Sequence, residues 1–207
     1  MDFAHPVTAV IPGAQGRVLA VLAETTAELN LRTVARLAGV SAAQASRVIP
    51  GLVDLGLVER REVPPSSLFR LNRLNAAAQT VVELARLSDT VLAQIGLAAK
   101  ELRCPPASVV VFGSLARKEA DRESDIDIVI VRPDDVNEDD EDWTEGVEQW
   151  RRTVSSITGN TVEVIEINVK NVIEKLASDE QLWEEVARDG VAVHGTPLNE
   201  LHILSHA

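Results

Sequence analysis

Gly113-Ser114 and Asp125-Ile126-Asp127 are the residues of this chain whose types and spacing could do chemistry. A β-branched run, residues 109–111, leads through Phe112 into Gly113 and Ser114, and a helix-compatible segment follows. A glycine at a strand-to-helix corner lets a phosphate approach the backbone closely, while the helix start offers unpaired N–H groups and the positive end of a dipole. After a spacer of ten residues beyond Ser114, Asp125 and Asp127 open a second apolar run, residues 128–131. Side chains alternate across a strand, so the two carboxylates face one way and Ile126 and Ile128 the other. Carboxylates about 6–7 Å apart along a strand repel each other unless a cation lies between them. The pattern points to a divalent metal, most naturally Mg²⁺ with its preference for carboxylate, water and phosphate oxygen.

Gly-Ser, ten residues, then Asp-x-Asp between two apolar strands resembles the signature of the DNA polymerase beta superfamily of nucleotidyltransferases. The wording Phe112-Gly113-Ser114-Leu115-Ala116-Arg117 and Ser124-Asp125-Ile126-Asp127 is similar to its minimal nucleotidyltransferase branch. The resemblance implies a mixed sheet, a nucleoside triphosphate bound at Gly113 and Ser114, and Mg²⁺ held by Asp125 and Asp127, with two ions when nucleotide is bound. Arg117, one helical turn after Ser114, can reach the same phosphates, and Ser124 joins the nucleotide-binding set. Where relatives usually read Ala-Arg-Gly, this chain has Lys118.

The family also uses a third carboxylate on a later strand. Residues 161–167 form that strand by composition and offer Glu163 and Glu166 on opposite faces. The family's Val-Asp-apolar-apolar pattern matches Val162-Glu163-Val164-Ile165, which favours Glu163 as the third metal ligand and catalytic carboxylate, with Glu166 the alternative. A glutamate here lengthens the ligand by one methylene, which either permits catalysis or marks a weakened site. The implied reaction is attack by an acceptor hydroxyl on the α-phosphate, with release of pyrophosphate. Relatives include antitoxins that adenylylate a partner toxin and enzymes that modify small molecules, so the expected acceptor is a protein or a small molecule.

These residues need elements to position them. Apolar residues at helical spacing (Val81, Leu84, Val91, Ile95, Leu102) predict one long helix over residues 75–103, or two broken near Leu87-Ser88-Asp89, ended by Pro105-Pro106. Its apolar stripe must cover the next domain or the same helix of a second subunit, so a homodimer through this connector is one expectation. Trp143, Val147, Trp150, Val154 and Ile157 predict an amphipathic helix capped by Gly159, with the tryptophans as core residues or, for one of them, a stacking surface for a nucleobase. Residues 178–180 start a last helix with Leu182, Trp183 and Val186 inward. Residues 134–142 hold seven acids and read as a solvated loop or as a lid that disfavours nucleic acid as acceptor. His202 and His206 lie four apart and read as part of a frayed tail rather than a metal site.

Ahead of the connector, three short helices are predicted: residues 12–24, a second capped by Asn30 and stopped at Gly39, and a third from Ser41 through Leu55 to Gly56. A connection of about three residues between the last two is a helix-turn-helix signature. Residues 57–63 and 68–71, joined by a turn at 64–67, read as a two-stranded ribbon. Together they resemble a winged helix over residues 12–73. In that family the third helix enters the major groove, making Gln44, Ser46 and Arg47 the candidates for base or phosphate contact. Pro50-Gly51 in that helix removes a backbone hydrogen bond and is expected to bend it; dimerisation or partner docking is the other use of such a module.

Charge separates the two modules. Of 207 residues with net charge −12, residues 1–75 carry 8 Arg, no Lys and 6 acids, a net of +2. The other 132 residues carry 12 basic and 26 acidic groups, a net of −14. Phosphate binding is dominated by Lys and Arg, so duplex DNA is an expected partner of the first part only. No apolar stretch approaches the roughly 18 residues of a membrane span, and residues 1–4 lack the charged start and apolar core of a secretory signal. A cytoplasmic protein without membrane contact is expected. One cysteine, Cys104, and four scattered histidines exclude an internal disulfide and a zinc cluster.

The expected fold is α+β: a winged helix-turn-helix domain (1–73), a connector helix (74–104) and a small mixed-sheet nucleotidyltransferase domain with flanking helices (105–207). The expected function is Mg²⁺-dependent transfer of a nucleoside monophosphate to a hydroxyl, with a DNA-binding winged helix and an antitoxin-like role among the options. The alternative is a transcriptional regulator whose nucleotidyltransferase domain senses nucleotide without catalysis.

Overall fold

The computed structural model describes residues 1–201, and His202 and His206 lie outside them. Its contacts divide the chain into two compact units, residues 5–87 and residues 88 onward together with residues 1–4. The fold is α+β, with a winged helix at the amino-terminal side.

The first unit contains α1 (Pro6–Val10), α2 (Gly13–Glu24), β1 (Leu29–Asn30), α3 (Leu31–Leu37), α4 (Ala42–Asp54), β2 (Val58–Val63), β3 (Ser66–Leu71) and α5 (Ala76–Ala85). Asn30 caps α3 by accepting from the N–H of Thr33. Ser41 and Gln44 cap α4 reciprocally, each side chain taking the other's backbone N–H, which satisfies two of the orphan donors at a helix start. Pro50 removes the bond that its missing N–H would have made, yet α4 continues through it to Asp54. The two-stranded ribbon gains a third member that its two-residue length hid in the sequence: β1 pairs antiparallel with β3, in the order β1-β3-β2. Val18, Leu22, Val34, Ala45, Ile49, Leu52, Phe69 and Ala78 close one core. Leu37 of α3 is half exposed.

The stretch expected as a connector is divided. α5 and α6 (Leu87–Lys100) break at Arg86. Ala78 and Val81 of α5 lie in the core of the first unit, while α6 belongs to the second from Ser88 on.

The second unit continues with β4 (Ser108–Phe112), α7 (Gly113–Ala116), β5 (Ile126–Arg132), α8 (Glu141–Thr158), β6 (Val162–Asn168), a 3-10 turn, α9 (Val172–Leu176), α10 (Gln181–Asp189) and β7 (Val191–Gly195). The strands form one mixed sheet, β6-β5-β4-β7, with β5 and β6 parallel and the other pairs antiparallel. Residues of β4 and β5 are almost wholly buried, as a sheet covered on both faces requires. On one face Val110, Phe112, Val129, Val131 and Ile167 pack with Trp183 and Val186 of α10. Trp143 and Trp150 of α8 are buried, and the Trp150 indole N–H donates to the carbonyl of Ile95 in α6 at 3.4 Å. The tryptophans are therefore core residues.

Part of the acidic run contributes to local structure. Asp140 caps α8 by accepting from the N–H of Trp143 at 3.0 Å, and Glu141 and Asp142 occupy the first turn, where negative charge complements the helix dipole.

Gly96 lets α6 approach the sheet: a Cβ there would overlap the carbonyl oxygen of Val193 in β7. Alanine normally favours a helix over glycine by about 1 kcal/mol. Gly96→Ala is nevertheless expected to destabilise the protein by about 1–3 kcal/mol, as overpacking does, measured by denaturant unfolding.

Candidate functional site

The antiparallel register of β4 with β5 sets Phe112 opposite Asp127, so the chain leaving β4 enters its corner directly beside that carboxylate. Gly113 takes φ 68, in the left-handed region where a side chain is strained. A Cβ added there would stand 2.6 Å from Asp127 Oδ2. Both demands require glycine at the corner. Ser114 follows in α7, half-buried.

The parallel register of β5 with β6 sets Glu163 beside Asp127. Alternation then puts Asp125, Asp127 and Glu163 on one face of the sheet, the face that α10 covers further along. Glu166 pairs with Ile130, on the other face, and accepts from Arg132 Nε at 2.7 Å. Arg132 is buried and also donates to the carbonyl of Val136 at 2.5 Å. Glu166 is thereby committed to an ion pair, and Glu163 is the glutamate that stands with the aspartates.

Burial pushes the Asp127 carboxyl above its ordinary value, and the charges of Asp125, Glu163 and Glu185 push it further, with Arg117 opposing. Glu185, on α10, is a fourth member of this acidic cluster. No motif flags it, because it is 58 residues along the chain from Asp127 and only the packing of α10 brings its charge near. All these donors are carboxylate oxygens, the chemistry of a hard divalent cation. Among the described residues, no three His, Cys, Asp or Glu side chains stand ready to enclose an ion by themselves.

Arg117 ends α7, donating Nε to Glu119 at 2.9 Å and Nη1 to Asp189 at 2.7 Å. Lys118 takes φ 61. That is the left-handed region, which favours glycine, and the Lys118 Nζ pairs with Asp89 of α6 at 2.6 Å. Ser124 serves the local turn, its hydroxyl donating to Asp121 Oδ1 and accepting from the Asp121 N–H. Buried Asn160 donates to the carbonyls of Asp121 and Ser124 at 3.0 and 2.8 Å. It fixes the turn that delivers Asp125, a role that its position in the Gly159-Asn160 turn did not reveal.

In the first unit Gln44, Ser46 and Arg47 are exposed on α4, although the Gln44 carbonyl oxygen is engaged by the Ser41 N–H at 2.9 Å. The ribbon's arginines are neutralised locally. Arg60 pairs with Glu62, Arg61 with Glu28 and Arg70 with Glu59. Arg32, Arg36 and Arg47, on α3 and α4, form no ion pair among the described residues. A cavity of about 690 Å³ lies between α4 and the ribbon, with Arg32, Ser46, Ile49 and Phe69 in its lining.

A mixed sheet carrying aspartates beside a Gly-Ser corner is the arrangement expected from the resemblance to nucleotidyltransferases. Residues 94–194 match the nucleotidyltransferase domain family and residues 11–66 the MarR family. The chain thus joins a MarR-family winged-helix domain to a nucleotidyltransferase domain. No curated protein matches the sequence. Among solved structures, a toxin–antitoxin crystallised with AMP-PNP is 16% identical at a TM-score of 0.37, over 56% of this chain and 87% of that one. A mutant form of the toxin–antitoxin MntA-HpeT is 14% identical at a TM-score of 0.37, over the same shares. Likenesses of that strength support no functional inference for this chain. Among the described residues no helix is long and apolar enough to cross a membrane.

Hydrogen bonds from Arg188 and Arg117 lower the Asp189 carboxyl from 3.8 to about 2. A depressed carboxylate contributes stability above its unfolded value and loses it as pH falls through the folded one. Acid unfolding should show the difference between the wild type and Asp189→Asn persisting above about pH 4 and shrinking as pH falls through about 2. A difference unchanged across that window would break the assignment.

Proposed function

We propose that the protein is a Mg²⁺-dependent nucleotidyltransferase that moves a nucleoside monophosphate from a nucleoside triphosphate to an acceptor hydroxyl. The observation that carries the reading is the juxtaposition of Gly113 with Asp127 and, by register, of Asp127 with Glu163. Gly113 and Ser114 receive the triphosphate, and the missing Cβ at Gly113 lets the Asp127 carboxylate stand directly beside that corner. Arg117 offsets phosphate charge from one side. Asp125, Asp127 and Glu163 hold Mg²⁺, which when bound supplies charge neutralisation for the phosphates and the mutual repulsion of the carboxylates. Burial of Asp127 keeps that carboxylate partly dry, so that its interaction with a cation is stronger than in water.

The acidic surroundings favour an acceptor other than nucleic acid, since phosphate backbones avoid a region of net −14. A hydroxyl of a partner protein, as in antitoxin-like members of the family, or of a small molecule fits that limit. Any tyrosine acceptor lies on another molecule, because this chain contains none.

Incubation of the protein with labelled nucleoside triphosphates, Mg²⁺ and host lysate is expected to label an acceptor. Asp125→Ala/Asp127→Ala should reduce labelling at least 100-fold, a loss on the order of those seen when charge-stabilising groups are removed. Labelling that survives the double change refutes the metal assignment.

A second activity is favoured by the unpaired Arg32, Arg36 and Arg47 of the helix-turn-helix: duplex DNA binding by the first unit, with nucleotide acting as a signal in a regulator. Arg47→Ala should weaken duplex binding evenly across sequences and lower the salt slope by about 1, as loss of a phosphate contact does. If nucleotide shifts operator affinity equally in wild type and in Asp125→Ala/Asp127→Ala, the sensing role holds without catalysis.

A further inference from the structure

Arg117 is the cation nearest in sequence to the Gly-Ser corner, and two acids of very different standing hold it. Glu119, which accepts from its Nε at 2.9 Å, has a side chain 66% exposed. Asp189, which accepts from its Nη1 at 2.7 Å, has a side chain 9% exposed. Asp189 ends α10, and that helix is firmly seated. Trp183 and Val186 lie in the core with Val110 and Phe112, and a Cβ at the next residue, Gly190, would come within 3.0 Å of Val110 Cγ1. Arg188 donates Nε and Nη2 to the two Asp189 oxygens at 2.9 Å each, fixing the plane of the carboxylate. A guanidinium is a planar fork with five donors. Two of those on Arg117 are engaged by acids, and Nη2 donates to no described residue.

We infer that Asp189 is a positioning residue for the nucleotide site: it holds Arg117 so that the open side of the guanidinium meets the triphosphate at the Gly113-Ser114 corner. The inference rests on the nucleotide-binding reading of that corner. An arginine held in its docked orientation loses less freedom on binding than one left to sample solvent, so pre-organisation appears as affinity. A long side chain at a four-residue helix has little else to direct it. Asp189 is 72 residues from Arg117 in the chain, and α10 alone brings the two together.

Calorimetric titration with each of the four nucleoside triphosphates in the presence of Mg²⁺, and with the matching nucleoside, tests this. Asp189→Asn should weaken triphosphate binding roughly tenfold and leave nucleoside binding unchanged, while Asp189→Glu recovers part of the loss. In an Arg117→Ala background, Asp189→Asn should have no further effect. A purely structural carboxylate would instead lower the melting temperature and leave triphosphate affinity as in the wild type, which overturns the inference. Losses that multiply in the double variant overturn it too, because they place Asp189 outside the action of Arg117. If the wild-type protein itself binds no triphosphate, the nucleotide reading fails and the inference falls with it; that failure is told apart by occurring before any substitution.

Discussion

Like charges brought together on one sheet face are the constraint around which the second unit is built. Asp125 and Asp127 come together by strand alternation, Glu163 by the parallel pairing of β5 with β6, and Glu185 by the packing of α10. In water such groups would separate. Here each is tied to an element whose own stability comes from apolar burial: Ile126, Ile128 and Ile130 are fully buried on the opposite side of β5, and Trp183 and Val186 seat α10. Burial first, and the neighbouring carboxylates after it, raise the Asp127 carboxyl above its ordinary value. In the proposed function a cation would offset this charge by direct attraction, and a triphosphate would be met through that cation and Arg117.

The surrounding cations follow from the same constraint. With four carboxylates on one side, an arginine left loose would collapse onto them. Arg117 is instead shared between Glu119 and Asp189, Lys118 is drawn toward α6 by Asp89, and Arg132 is committed to Glu166 on the opposite face. Two glutamates three residues apart on one strand thereby take different parts. The difference lies in strand parity and in which partner stands in register, not in the residue type.

The first unit distributes its charge in a similar way. Its net of +2 is small for a DNA reader, but the sum conceals where the charge is used. The ribbon's arginines are paired with Glu62, Glu28 and Glu59, which offsets their positive charge locally. Among the described residues Arg32, Arg36 and Arg47, on α3 and α4, form no ion pair, while Arg17 and Arg73 donate to backbone carbonyls.

Much of this was legible in the sequence because its determinants are local. Helix caps at Asn30 and Ser41, the Gly-Ser corner, the Asp-x-Asp alternation and the amphipathic period of α8 are all set by neighbours within a few residues. The two short elements β1 and α9 and the edge strand β7 were not, since each is defined by what it pairs or packs with. The sequence by itself determined the donor types and their spacing, and hence a nucleotidyltransferase pattern preceded by a winged helix. Only the tertiary structure decided which glutamate stands beside Asp127, that Glu185 joins the acidic cluster and that Asp189 holds Arg117. Those outcomes depend on strand register and on the packing of α10, contacts between residues tens of positions apart, and no local periodicity encodes them.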